Sequence, residues 1–182
     1  MSATYATFEG LKRFLGFADQ DAENLKSLAP IFDRLGPGIT DAFYEALGRN
    51  PDTAKFLEGR VDQLKRTHQQ WMQELFAGEY AEAYFDSRMR IGLAHVRIGL
   101  AAYWVEAVMS VIRSEGLKAM AREIGDADEL ASKAASLARI CDLDLAIINL
   151  SYGEDRLDRL SEFTGMKRAL IENIISIPRK TA

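Results

Sequence analysis

Between Val61 and Phe76, the residues Leu64, Thr67, His68, Trp71 and Leu75 fall at i, i+3, i+4, i+7 and i+11, a spacing that places them on one side of a helix. The same period returns from Asp128 to about Phe163, with Leu137, Ile140, Leu143, Ile147, Leu150 and Leu157 on the stripe. Strand formers are scarce, with five valines against 25 alanines and 20 leucines, so the chain is expected to be all-α. At 182 residues it is long enough for one domain with a real core. Stripes this long must be covered within the subunit or across a dimer seam.

Capping and breaking signals divide the chain further. Asp19 or Asp21 starts a first main helix through Leu25, Leu28 and Ile31 toward Leu35, and Gly36-Pro37-Gly38 is expected to interrupt it before a restart through Phe43, Tyr44 and Leu47. Asn50-Pro51-Asp52 marks a turn, and Gly78 closes the Val61–Phe76 helix. A helix follows from Tyr80 to about Leu100, then a long one from Tyr103 to Ile124, separated from the last by Gly125-Asp126. Near the end, Phe163, Met166, Leu170, Asn173 and Ile177 repeat over two heptads, consistent with a coiled-coil start or with a tail docked on its own domain. Gly165 and Pro178 argue against an uninterrupted rod.

Several functions are disfavoured. The formal net charge of −4 argues against a broad basic surface, hence against nucleic acid or anionic lipid as partner. The most apolar stretch, Ile91 to Ile112, contains His95, Arg97 and Glu106 and makes no credible membrane span. Met1-Ser2-Ala3-Thr4 lacks the blocks of a signal peptide, and the lone Cys141 permits neither an internal disulfide nor a cysteine zinc site, so a cytoplasmic location is expected. No GxGxxG, P-loop, nucleophile elbow or His-Glu-x-x-His is present. The carboxylate pairs Asp142/Asp144 and Glu154/Asp155 read as solvated helix faces.

Two histidines cannot build a multi-histidine metal cage, but an iron already held by a porphyrin needs only one protein ligand. His95 shares its helical face with Ile91, Ile98, Gly92 and Gly99, and the missing bulk at the glycines leaves room for a flat ring. The plainer reading is a core histidine packed in a helix crossing.

The run Leu64-x2-Thr67-x3-Trp71-x3-Leu75-Phe76-x-Gly78-x-Tyr80-x3-Tyr84-x3-Arg88-x2-Ile91-Gly92-x2-His95-Val96-Arg97-Ile98-Gly99-Leu100 resembles the sensor globins of bacterial globin-coupled sensors and their protoglobin relatives. Phe43-Tyr44 with Leu47 is similar to that family's distal-side helix, and the resemblance spans roughly residues 20 to 160. It implies a globin fold with an extra N-terminal helix, binding haem b, with His95 as proximal iron ligand and its other ring nitrogen donating to a backbone carbonyl such as that of Ile91. Tyr44 corresponds to the distal tyrosine that donates to bound dioxygen, and Leu64 and Thr67 to the distal positions that restrict access or add a second hydroxyl. His68 is placed at the surface or pocket edge, with a distal role left open, while Phe43, Ile91, Ile98 and Trp104 complete the pocket. Ala102 and Val105 stand where many relatives have a proline and a tyrosine, so a proximal tyrosine hydrogen bond is not expected.

The resemblance further implies a non-enzymatic sensor of oxygen, also able to take carbon monoxide and nitric oxide. It implies a homodimer through a four-helix seam of the last two long helices, with residues 1–160 as the sensor domain and 161–182 as a tail toward a C-terminal output domain. A cyclase, kinase or chemotaxis transducer is the usual output, and Arg179-Lys180-Thr181-Ala182, with no capping signal, reads as the edge of a fragment. The alternatives are a haem enzyme of peroxidase or nitric oxide dioxygenase type and a haem-free interaction module.

Overall fold

Every regular element among residues 4–178, which the computed structural model describes, is a helix. The signal-peptide and fragment readings rest on residues 1–3 and 179–182, which lie outside the described residues. Helix α1 (Tyr5–Leu15) precedes α2 (Asp19–Arg49), α3 (Pro51–Ala54) and α4 (Val61–Leu75). The chain continues through α5 (Glu82–Arg97), α6 (Ala102–Glu123), α7 (Ala127–Thr164) and α8 (Arg168–Ser176).

The expected break at Gly36-Pro37-Gly38 is absent, and α2 runs through it as one 31-residue helix with Pro30 and Pro37 inside. Each interior proline costs about 3 kcal/mol. Burial of Leu25, Leu28, Phe32 and Ile39 along the same helix, each contributing about 1.5–3 kcal/mol, outweighs that cost. Gly36 serves packing: a Cβ there would meet Met72 Sδ at 2.7 Å, so the glycine lets α2 and α4 approach. The Asn50-Pro51-Asp52 turn is a single helical turn, its Asn50 Oδ1 accepting the Asp52 N–H at 2.9 Å with proline at the first position.

Helix α7 is started by Asp126, whose Oδ1 accepts the Glu129 N–H at 2.7 Å, and it packs along α2, α5 and α6. Its stripe residues Leu137, Ile140, Leu143 and Ile147 are fully enclosed within this one chain, so that part of the stripe needs no partner subunit. The 160/161 boundary falls inside α7, which ends at Thr164. Beyond Gly165 the chain turns back, with Ile171 buried and Arg168 paired to Glu154 at 2.6 Å and Asp158 at 2.9 Å. The docked-tail reading of this segment is therefore the one the structure adopts. Leu160, Phe163, Leu170, Ile174, Ile175 and Ile177 remain exposed near this end. No described helix is long and apolar enough to cross a membrane.

Candidate functional site

Helices α2, α4, α5 and α6 leave between them an apolar cavity of about 320 Å³. Phe43 and Tyr44 reach it from α2, Leu64 and Thr67 from α4, Ile91, His95 and Ile98 from α5 and its end, and Trp104 from α6. An adjoining cavity of about 150 Å³ shares Tyr44, Leu64, Thr67 and His95 and adds His68 and Trp71. A larger hollow of about 500 Å³ between α2 and α4, lined by Phe32, Gly36, Met72 and Phe76, contains none of the expected site residues.

His95 sits in the last turn of α5 with its Nδ1 buried and without a hydrogen-bond partner. The expected bond to the Ile91 carbonyl is not made. Burial pushes the imidazole down to about 4, so near neutral pH it is uncharged and keeps a nitrogen lone pair for a metal. Gly92 does not make room for a ring. A Cβ at Gly92 would lie 1.9 Å from Ser151 Oγ and 3.0 Å from the Ile148 carbonyl, so this glycine brings α5 against α7. Gly99 ends α5 in the left-handed region at φ +73°, where its N–H reaches the Val96 carbonyl and the Leu100 N–H reaches that of His95, both at 3.0 Å.

Opposite His95 the wall is aromatic. Tyr44 is buried edge-on against Phe43, with ring centroids 4.6 Å apart, and burial raises its hydroxyl to about 12, keeping it a proton donor. Thr67 stands at the exposed rim with its Oγ1 donating to the Gln63 carbonyl at 3.1 Å. Of the two places expected for His68, surface or pocket edge, it takes the pocket edge. Its ring is stacked between Phe43 at 4.6 Å and Trp71 at 5.1 Å, and its Nδ1 lies 2.9 Å from Thr40 Oγ1. Its Nε2 is buried and unpartnered, and burial lowers this imidazole to about 4 as well. The physical reason is its place in the Leu64–Trp71 stripe, the inward face of α4.

Val105 is buried on the His95 side and carries no donor. Instead Tyr152 of α7 donates to the Leu100 carbonyl at 2.7 Å, tying down the turn after α5. Sequence reasoning missed this tyrosine, and also Asp144, which it placed on a solvated face. Asp142 is indeed partly exposed and paired with Arg113, but Asp144 is fully buried. It accepts from Trp71 Nε1 at 2.8 Å, Tyr84 Oη at 2.5 Å and Arg88 Nε at 2.8 Å. Burial raises its carboxyl above the ordinary value against the pull of these donors. The signal was present in the spacing, since Asp144 lies four residues after Ile140 and three before Ile147, on the buried face. Arg60, the one charged side chain lining the larger cavity of the pair, was also missed.

An iron porphyrin asks for an apolar slot with one ligand nitrogen. The neutral, orphaned imidazole of His95 in an apolar cavity fits that requirement. No cluster of three or more His, Cys, Asp or Glu that could hold a bare metal ion occurs among the described residues. The Protoglobin family matches residues 4–172. The globin domain of the Geobacter sulfurreducens globin-coupled sensor is similar at 36% identity and a TM-score of 0.76, covering 79% of this chain and 96% of that one. The globin domain of E. coli DosC, in a ferric crystal form, is similar in fold at 19% identity and a TM-score of 0.69, covering 79% of this chain and 98% of that one.

Proposed function

The chain belongs to the protoglobin family, and from that premise we propose that it is a haem-based oxygen sensor domain, held as a homodimer and joined to a C-terminal output domain in a longer protein. The observation that carries the reading is the meeting of His95, with its orphaned Nδ1, and the Tyr44 hydroxyl in one apolar cavity. A haem b held there would supply an iron able to bind a diatomic gas.

The chain's own residues do the rest. His95 would hold the iron through an imidazole nitrogen, uncharged because it is buried. Phe43, Leu64, Ile91, Ile98 and Trp104 supply apolar walls that would pack against the ring. Tyr44 holds a hydroxyl that has no acceptor among the described residues, so it can donate to a gas that draws negative charge, as oxygen does, for ~1.5–3 kcal/mol. Thr67 offers a second hydroxyl once it leaves the Gln63 carbonyl. The similarity to the globin domain of a globin-coupled sensor supports signalling as the purpose of binding. The exposed Leu160 and Phe163 at the end of α7 support a seam or an onward connection at that end.

A specific observation favours a second reading of the distal side. His68 presents a buried, unpartnered Nε2 in the wall shared with Tyr44 and His95, so an imidazole stands ready as donor or ligand there. Oxygen dissociation after haem loading separates the two. Tyr44→Phe keeps the ring and removes the hydroxyl, so dissociation should speed up roughly tenfold or more, about 1.4 kcal/mol, while carbon monoxide affinity changes little. Unaltered dissociation in Tyr44→Phe and in Tyr44→Phe/Thr67→Val would move the role to His68. Multiple turnovers of peroxide or nitric oxide with a reductant would instead favour the enzyme reading.

A further inference from the structure

Asp144 lies on α7, outside the cavity, yet its partners come from the two helices that form the cavity's opposite walls. Trp71 reaches it from α4, and Tyr84 and Arg88 reach it from α5. Both ends of this cluster touch the pocket's machinery. Trp71 lines the smaller cavity and stacks on His68 at 5.1 Å, while Arg88 lies two turns before His95 on the same helix. Arg88 also binds Glu74 of α4 at 2.5 Å and covers the Tyr84 ring at 4.1 Å, so α4 and α5 are clipped together from one buried charge cluster.

A buried carboxylate that receives several aimed donors has few alternative positions, because any donor drawn away leaves a desolvated lone pair behind. Movement of Trp71 must therefore break the cluster or carry Asp144 with it. We propose that Asp144 is a positioning residue that passes displacement of the α4 wall, through Trp71, to α7. The proposal rests on the reading of the cavity as a gas site, and it gives α7 a physical link to that site.

The test is amide hydrogen exchange of residues 137–148 in the reduced, haem-loaded chain with and without carbon monoxide. In the wild type the exchange rates of this segment should differ by roughly threefold or more between the two forms. Trp71→Phe, which keeps a ring against His68 but removes the donor, should shrink that difference toward none when the two forms are compared at haem occupancy matched to the wild type. Asp144→Asn should do the same where it folds, while Asp142→Asn, altering an exposed pair on the same helix, should keep the full difference. A purely structural role would speed exchange equally in both forms and leave their difference intact, and that result in Trp71→Phe would overturn the proposal. So would a wild type with a Soret band but no gas-dependent exchange on α7. A wild type that takes up no haem would overturn the gas-site reading itself, and the proposal with it.

Discussion

Two imidazoles buried as neutral groups make the haem-free protein sensitive to acid. His68 and His95 are each lowered by burial from the usual 6.5 to about 4, so between those values the unfolded chain binds more protons than the folded one. The sign follows: stability is unaffected by these groups above about pH 6.5 and falls as pH drops toward 4, by about 2 kcal/mol per histidine at pH 5. Urea midpoints of the haem-free chain at pH 7 and pH 5 should show the loss, and His68→Leu should reduce it by about half. An unchanged difference in that variant would mean that His68 titrates in solvent. That His95, Tyr44, Leu64 and Thr67 would line one cavity was legible from the family resemblance rather than from periodicity. The environment of His68 was not, since stacking between Phe43 and Trp71 joins residues of two different helices, which no spacing within one helix reveals.

At the scale of elements, glycines were the least legible residues. Gly36 looked like a break and is a point of close packing; Gly92 looked like room for a ring and is a helix crossing. A missing side chain reads alike in both cases, and only the partner helix decides its meaning. Gly92→Ala tests the crossing: with a Cβ 1.9 Å from Ser151 Oγ, α5 and α7 must separate, at a cost of ~1–3 kcal/mol in urea unfolding. Adding Ser151→Ala should recover part of the loss, because the nearest clashing atom is gone. A single variant as stable as the wild type would show that the crossing yields freely. Positions of α4 to α7 followed from capping and period, whereas α1 did not. The end of α5 was set by Gly99, and α2 outlasted its prolines because long buried faces outweigh local propensity.

On the scale of the whole molecule, the chain covers most of its α7 stripe by itself, and the case for a dimer shifts to the exposed Leu160, Phe163 and Leu117. Sedimentation at micromolar concentration should show a dimer that Phe163→Glu weakens; a monomer throughout would leave the seam without support. The central claim is the haem site held by His95, and titration of the haem-free chain with haemin, followed in the Soret region, tests it most directly. The wild type should bind one equivalent and His95→Ala should lose stable retention or give a different ferrous spectrum, with Tyr44→Phe binding haem as the wild type does. A wild-type spectrum in His95→Ala, with binding lost in His68→Ala, would contradict the account.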